Sequence, residues 1–317
     1  MPNPTIIVTG CSSFIGFEIA KNLMALGWNV IGISRTNSNQ NNNHGKRIKI
    51  LSSYKRFSIR NLDLLYDELD KNDFHNVKFI VHHAAYVGEG RGVFDEVLAA
   101  EVNTITTLKV IKFAKEIAVG ISVTGSNAEY GNKNDMVDED CICRPGSAYG
   151  MSKLCQTNSA QIFANFYNVK IIIPRIFNVL GYSDTEGKLL PSIFEAKRIK
   201  SQLTVGDGNA LFDFMHVEQV AKLYCMLVKR QIEEAHGLGI VNICSGRQTF
   251  VRDLMGDIFK SINLEREMIS QPELSQIKVP TVSYGNNSKL KALVGEFNIE
   301  NFDFSSMYKK YLEFKEL

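Results

Sequence analysis

Apolar residues in the first 180 positions fall in short runs separated by longer amphipathic stretches, a rhythm that predicts alternating strands and helices. Residues 5–9 read as a buried strand, 14–26 follow with helical periodicity, and 29–33 predict a second strand. Residues 36–45 are almost all Asn, Ser, Gln and His, and they predict a solvated loop because nothing in them can pack a core. Helices are expected over 62–71, 97–117 and 148–167, and strands over 77–83, 120–124 and 170–176. Such alternation implies right-handed βαβ crossovers, hence an α/β fold: a Rossmann-type doubly wound parallel sheet with helices on both faces. From 181 onward helices dominate. That predicts a larger sheet domain (1–180) and a smaller C-terminal α/β substrate domain (181–317), with strands near 212–217 and 240–244 returning to the main sheet.

Ligands of such sheets bind beyond the carboxyl ends of the strands. The first strand runs into T-G-C-S-S-F-I-G. Gly10 permits a tight bend and Gly16 close packing of helix on strand, so a dinucleotide's pyrophosphate can sit at the helix N-terminus. Ser13 stands where a middle glycine would admit the phosphates most closely, and its hydroxyl can donate to one instead. Ser12, Phe14 and Ile15 complete the loop. A plain strand–helix turn would look the same, so the loop gains weight only from its company. The second strand ends on Ser34-Arg35. An acidic residue there would hold the adenosine ribose 2′-hydroxyl and repel a 2′-phosphate; a hydroxyl and a guanidinium favour NADP(H) instead, with NAD(H) still open. Asp63, followed by Leu64, can hold the adenine amino group or serve as a first-turn helix carboxylate.

In S-A-Y-G-M-S-K, Tyr149 and Lys153 stand four apart on one helical face. The ammonium can lower the phenol's pKa for proton transfer and can also bind the nicotinamide ribose. With 11 tyrosines, about one Y-x-x-x-K is expected by chance. Tyr311 and Lys315, in the C-terminal tail, are read as that chance pair. Ser126, just past the fifth strand in V-T-G-S-N-A-E-Y-G, can hydrogen-bond the carbonyl that Tyr149 protonates, with Thr124 as the fallback. Taken alone, Ser126 is an ordinary turn serine. Phosphate cradle and tuned phenol together are the equipment of a nicotinamide-dependent carbonyl–alcohol enzyme.

Composition removes other classes. The 36 basic and 34 acidic residues of this 317-residue chain leave a net charge of +2 with no basic stripe, which argues against nucleic acid. No apolar run approaches the roughly 20 residues needed to span a bilayer, and no signal peptide precedes the first strand, so a cytoplasmic protein is expected. Six scattered cysteines, two of them a lone C-x-C at Cys141 and Cys143, lack a second ligand pair, so no metal site is expected.

These residues resemble the extended short-chain dehydrogenase/reductase superfamily, in its NAD(P)-dependent sugar-nucleotide epimerase/dehydratase/reductase branch. The resemblance rests on T-G-x-x-x-F-I-G, H-x-A-A at His82 to Ala85, Asn103, Y-G at Tyr130, R-P-x-S-x-Y-x-x-S-K, P-R-I-F-N-V-L-G around Asn178, V-G-D-G and D-F-M-H-V. It implies a nucleotide-sugar substrate contacted by Asn178, with Ser126, Asn127 and Arg247 nearby. It also implies that Ala84, Ala85 and Asn103 line or brace the cofactor site, that His82, His83 and His216 are structural, and that homodimers form through the helix carrying Tyr149. Three departures narrow the reaction. Ser126-Asn127-Ala128 stands where the 4,6-dehydratases have T-D-E, so dehydration is not expected. Asn127 replaces the cysteine of the bifunctional epimerase-reductases. Phe212 replaces an arginine that grips the diphosphate, a role Arg247 could take over. The run G-S-x-x-E-Y-G looks like that of the GDP-4-keto-6-deoxymannose reductases. An NADPH-dependent 4-keto-6-deoxy nucleotide-sugar reductase, serving polysaccharide biosynthesis, is therefore the first reading. A 4-epimerase is the second, a reductase of a small ketone the third, and a non-catalytic NADP(H) sensor the last.

Overall fold

The computed structural model describes residues 4–36, 38–88, 94–133, 135–206, 208–265, 268–270 and 284–317. The chain opens with β1 (Thr5–Thr9), α1 (Phe14–Ala25), β2 (Asn29–Ser34), α2 (Asn43–Ser52), β3 (Phe57–Asn61) and β4 (Val77–His82). α3 (Glu96–Ala100) then passes through a π-turn, Glu101–Ile105, into α4 (Thr106–Glu116). β5 (Gly120–Val123), β6 (Gly125–Ser126), β7 (Met136–Val137), α5 (Ala148–Tyr167) and β8 (Ile171–Ile176) follow. Beyond them come β9 (Asn178–Leu180), α6 (Leu189–Ile199), β10 (Leu203–Thr204), β11 (Leu211–Phe212), β12 (Phe214–His216), α7 (Val217–Glu233) and β13 (Gly239–Ile243). The chain closes with β14 (Thr249–Phe250), α8 (Val251–Ser261), β15 (Ile269–Ser270), β16 (Tyr284–Gly285), α9 (Ser288–Val294) and α10 (Phe304–Glu316).

The main sheet runs β13-β8-β5-β4-β1-β2-β3, all neighbours parallel, with β6 also pairing β8. Its strands are near-continuous apolar runs because both faces are covered. Ile6 and Val8 point into a core shared with α1, α2 and α7, while Ile7 points into one shared with α4 and α5. The chain builds outward through β2 and β3, then crosses back over β1 to β4, so the switch in direction lies between β1 and β4. A crevice at that switch is where such sheets bind ligands. The C-terminal helices α6, α8 and α10 gather a separate core around Leu190, Phe194, Ile258 and Tyr311.

Four elements differ from the sequence expectation. The polar stretch at 36–45 gives way to α2 at Asn43, because Asn42 caps it by accepting the Gly45 N–H at 2.9 Å while Ile48 and Leu51 reach the core. No helix spans 62–71. The Asp63 carboxylate takes the Leu65 N–H and the Asp67 carboxylate takes the Asp63 N–H, so backbone donors are satisfied locally. The helix over 97–117 is broken by the π-turn, where Thr107 Oγ1 donates back to the Asn103 carbonyl at 2.7 Å. Of the two later strands, β13 joins the main sheet beside β8, but β12 pairs with β9 in a separate ladder, and Leu211–Phe212 pairs with β14.

Candidate active site

The two turns at the switch point are built against each other. Gly10 has φ +69°, and a Cβ there would lie 2.8 Å from the Ala84 backbone. A Cβ at Gly16 would fall 2.3 Å from the Gly10 carbonyl oxygen. Both glycines are therefore required by close backbone approach. Ser13 caps α1, its Oγ accepting the Gly16 N–H at 3.2 Å. Accepting there leaves the hydroxyl proton free to donate, so the turn fits a phosphate despite the missing middle glycine. Phe14 packs its ring beside Gly181 at the start of the C-terminal part, and Ile15 packs against the core.

At the end of β2, Ser34 Oγ donates to Ser12 Oγ at 2.9 Å, and His44 Nδ1 lies 3.3 Å from the same oxygen. Arg35 pairs loosely with Asp63 at 3.7 Å. Leu64 lies in the core rather than on the surface. Beneath this end sits Arg47, just past the polar stretch and not singled out by the sequence reading. It is 1% exposed, donates from Nη1 to the Ser12 carbonyl at 2.8 Å and from Nη2 to the Ser183 carbonyl. Burial lowers its pKa to about 10, so it remains a cation at neutral pH.

Ser126 begins a short 3₁₀ turn closed by a capping box. Its N–H donates to Glu129 Oε1 at 2.7 Å and its Oγ accepts the Ala128 N–H at 3.2 Å. Asn127 Oδ1 lies at a long 3.5 Å from the Ser126 hydroxyl. Glu129 is fully buried and paired with Arg175 at 2.8 Å, whose guanidinium also stacks on Tyr130 at 4.6 Å. Thr124 is not a substitute for Ser126. Its hydroxyl is engaged by Tyr224 at 2.8 Å and His83 at 2.9 Å, and its carbonyl accepts from Lys153.

Tyr149 and Lys153 lie in the first turns of α5, which Ser147 caps. Burial pushes the Tyr149 phenol above its ordinary pKa, while the Ser126 hydroxyl pulls it down. Phe94 presents its edge to the ring at 6.4 Å. Lys153 is 3% exposed and its pKa falls to about 8, chiefly through burial and against the Glu129 charge. Its ammonium donates to the Thr124 carbonyl at 2.6 Å and to Gln156 Oε1. The ammonium is thus aimed at carbonyl oxygens, and it is burial and Ser126 that set the phenol. The expected lowering of the Tyr149 pKa by Lys153 is not what this arrangement produces.

Of the two roles expected for Asn103, lining the cofactor site or bracing it, the structure shows bracing. Its Oδ1 accepts the Tyr86 N–H at 2.6 Å, and its Nδ2 donates to the Tyr86 carbonyl and Ser152 Oγ, both at 3.1 Å. With those bonds made and no exposed surface, it braces the turn that carries Ala84 and Ala85 rather than offering atoms to a cofactor. His82 is held between the Thr9 and Thr107 hydroxyls and His83 meets the Thr124 hydroxyl, and burial takes both to about 3; His216 caps α7 through Nδ1. Asn178 donates its N–H and Nδ2 to the Asp213 carbonyl at 3.1 and 3.3 Å. The Asp213 carboxylate in turn accepts the N–H groups of Ser245, Gly246 and Gly285, which fixes the loop bearing Arg247. Arg247 itself is exposed, and Phe212 packs on Phe214 at 5.5 Å. Asp207 of the V-G-D-G run lies outside the described residues. Among the described residues no cluster of His, Cys, Asp or Glu is placed to hold a metal, and no helix is long and apolar enough to cross a membrane.

Comparison with known proteins identifies the family and the fold. Residues 6–244 match the model of the NAD dependent epimerase/dehydratase family. A protein of Methanocaldococcus jannaschii, provisionally named UDP-glucose 4-epimerase, is 30% identical over 271 residues, covering 83% of this chain and 84% of its own. The GDP-6-deoxy-D-mannose reductase of Pseudomonas aeruginosa is 24% identical over 208 residues, 61% of this chain and 66% of its own. Among solved structures, a UDP-glucuronic acid 4-epimerase from Bacillus cereus in complex with NAD superposes with a TM-score of 0.83 at 20% identity, covering 98% of each chain. At that identity the likeness speaks for the fold alone.

Proposed function

Since the chain belongs to the NAD dependent epimerase/dehydratase family, we propose that it is an NADPH-dependent reductase of a 4-keto-6-deoxy nucleotide sugar. The observation that carries this reading is the meeting of three strand ends. Gly10 packs on Ala84 beyond β1 and β4, Ser126 beyond β5 lies against Tyr149, and Lys153 donates to the Thr124 carbonyl beside it. Gly10, Ser12, Ser13 and Gly16 with the α1 N-terminus would hold the pyrophosphate. Ser34 and Arg35 would hold the 2′-phosphate, Asp63 the adenine edge and Lys153 the ribose. The bound nicotinamide supplies the hydride that reduces the carbonyl carbon. Ser126 holds the carbonyl oxygen by its hydroxyl, and Tyr149 gives that oxygen its proton. Asn127, Asn178 and Arg247 face the nucleotide sugar. Two copies pair through α5.

Reduction is preferred to epimerisation because β2 ends in a hydroxyl and a guanidinium, which suit a diffusible NADPH. A 4-epimerase is the second reading. It is favoured by relatives named 4-epimerases, one at 30% identity and a UDP-glucuronate 4-epimerase of Thermodesulfobacterium geofontis at 23%. Incubation with 4-keto nucleotide sugars and NADPH separates the two: stoichiometric loss of NADPH absorbance supports reduction, whereas isomer formation without net loss supports epimerisation. Under either reading Tyr149→Phe should lower turnover by about a hundredfold or more while NADPH binding by fluorescence stays intact. Retained turnover would remove Tyr149 as the acid.

A further inference from the structure

The inner face of α5 carries a second polar side chain that the reaction above does not name. Gln156 lies three residues beyond Lys153, is 1% exposed, and accepts from the Lys153 ammonium through Oε1. Its Nε2 donates to Thr107 Oγ1 at 2.8 Å. Which end of the amide faces the lysine follows from the proton count at Thr107. Thr107 Oγ1 is 2.7 Å from the Asn103 carbonyl oxygen, which can only accept, so its single proton is spent there. The same oxygen must then accept from both of its other neighbours, Gln156 Nε2 and His82 Nε2 at 3.0 Å. A flipped amide would set oxygen against an oxygen with no proton to give, and NH₂ against an ammonium.

The same count continues to the cofactor turn. His82 donates from Nε2, so its Nδ1 is the acceptor and takes the Thr9 hydroxyl proton at 2.9 Å. Thr9 Oγ1 accepts in turn from the Ala84 N–H at 3.1 Å, the residue against which Gly10 is packed. Each bond in this buried row thus has an assigned donor: the bonds from the Gly10–Ala84 contact and those from Lys153 both run inward to Thr107, whose own proton goes to the Asn103 carbonyl.

We propose that Gln156 is the positioning residue for Lys153, its amide locked by Thr107 and by the Nε2–H tautomer of His82. With two of the three ammonium protons directed to the Thr124 carbonyl and to Gln156, one proton is left for the crevice. Both acceptors are neutral, so the cation is aimed without being cancelled. Glu129 on the neighbouring turn, His82 and His83 at the end of β4, and Tyr149 on the same helix are the titratable groups around it.

The proposal rests on the assignment of Tyr149 and Lys153 given above, so its test includes readings that need no turnover. NMR of isotope-labelled protein without substrate follows the Lys153 titration and the His82 nitrogens. Gln156→Met should lower the Lys153 pKa, and Gln156→Glu should raise it, each by at least about half a pH unit. His82 should carry its proton on Nε2. The basic limb of kcat/KM should move in the same two opposite directions, and Gln156→Met should lose about tenfold or more in turnover. Thr107→Ser, which keeps the hydroxyl, should restore the wild-type titration, whereas Thr107→Val should behave like Gln156→Met. Unmoved or same-sign shifts, or a proton on His82 Nδ1, would overturn the assignment. Should the methionine variant fail to fold, Gln156→Glu and the wild-type tautomer decide it. Loss of the Tyr149 reading with the opposite shifts intact would leave Gln156 as a partner of Lys153 and discard only the reaction.

Discussion

The proposed preference for NADPH rests on two residues, Ser34 and Arg35. Ser34 is tied to Ser12, and Arg35, itself largely exposed, pairs with Asp63 at a loose 3.7 Å, so its guanidinium can exchange that carboxylate for a phosphate at small cost. Arg35→Ala is expected to weaken NADPH binding by about tenfold or more and NADH binding by about twofold or less, read by titration of each coenzyme. Equal losses would end the claim of selectivity. At this scale the sequence was most informative where chemistry is local. Tyr149, Lys153 and Ser126 were legible because four-residue spacing and the strand-to-turn position give the contact directly. Gln156 was not, since its partner Thr107 lies 49 positions away and becomes a neighbour only when α4 packs beside α5. Its one signal was position: a polar residue three beyond Lys153 on a helix face otherwise bound for the interior.

Elements hold Ser126 where it is. Glu129 joins the Ser126 turn to β8 through Arg175, and both charged groups are out of water. Glu129→Ala would leave the Arg175 cation buried without its partner and is expected to cost about 3–5 kcal/mol in urea unfolding. The double change Glu129→Leu with Arg175→Met should recover most of that loss. A single variant within about 1 kcal/mol of wild type would show that the pair does not support the turn. Two of the elements misread from sequence share one cause. In α2 Gly45, Ile48, Ile50, Leu51 and a buried Arg47 mark the inward face, so a polar surface hid a helix. Over 62–71 the apolar residues are dense enough for a helix, but Asp63 and Asp67 capture backbone donors first. In both places side chain–backbone bonds outweighed periodicity.

On the scale of the whole molecule, α5 shows solvent a row of Met151, Cys155, Ile162 and Phe166, the last 76% exposed, beside exposed Val97 and Ile105. Residues 151, 155, 162 and 166 share one side of the helix, opposite the face that carries Lys153 and Gln156. A pairing of two copies along this row is expected to give a dimer by light scattering. Ile162→Asp combined with Phe166→Asp should yield a monomer, and an unchanged mass would place any contact elsewhere. The parallel order of the sheet was readable from the βαβ rhythm, because crossover handedness and short connections leave few alternatives. The route after Ile176 was not. β9 leaves the sheet and takes β12 with it, a choice made by the Asp213 and Asn178 backbone contact rather than by hydrophobic pattern.

Arg47 clasps main-chain oxygens of two segments far apart in sequence, Ser12 and Ser183. Pulling these two segments apart would strand a positive charge in a dry interior, so the turn at Ser12 and the chain at Ser183 are bolted to each other. A change at either should therefore be felt at the other, and neither can be retuned by evolution or by design without attention to that single guanidinium.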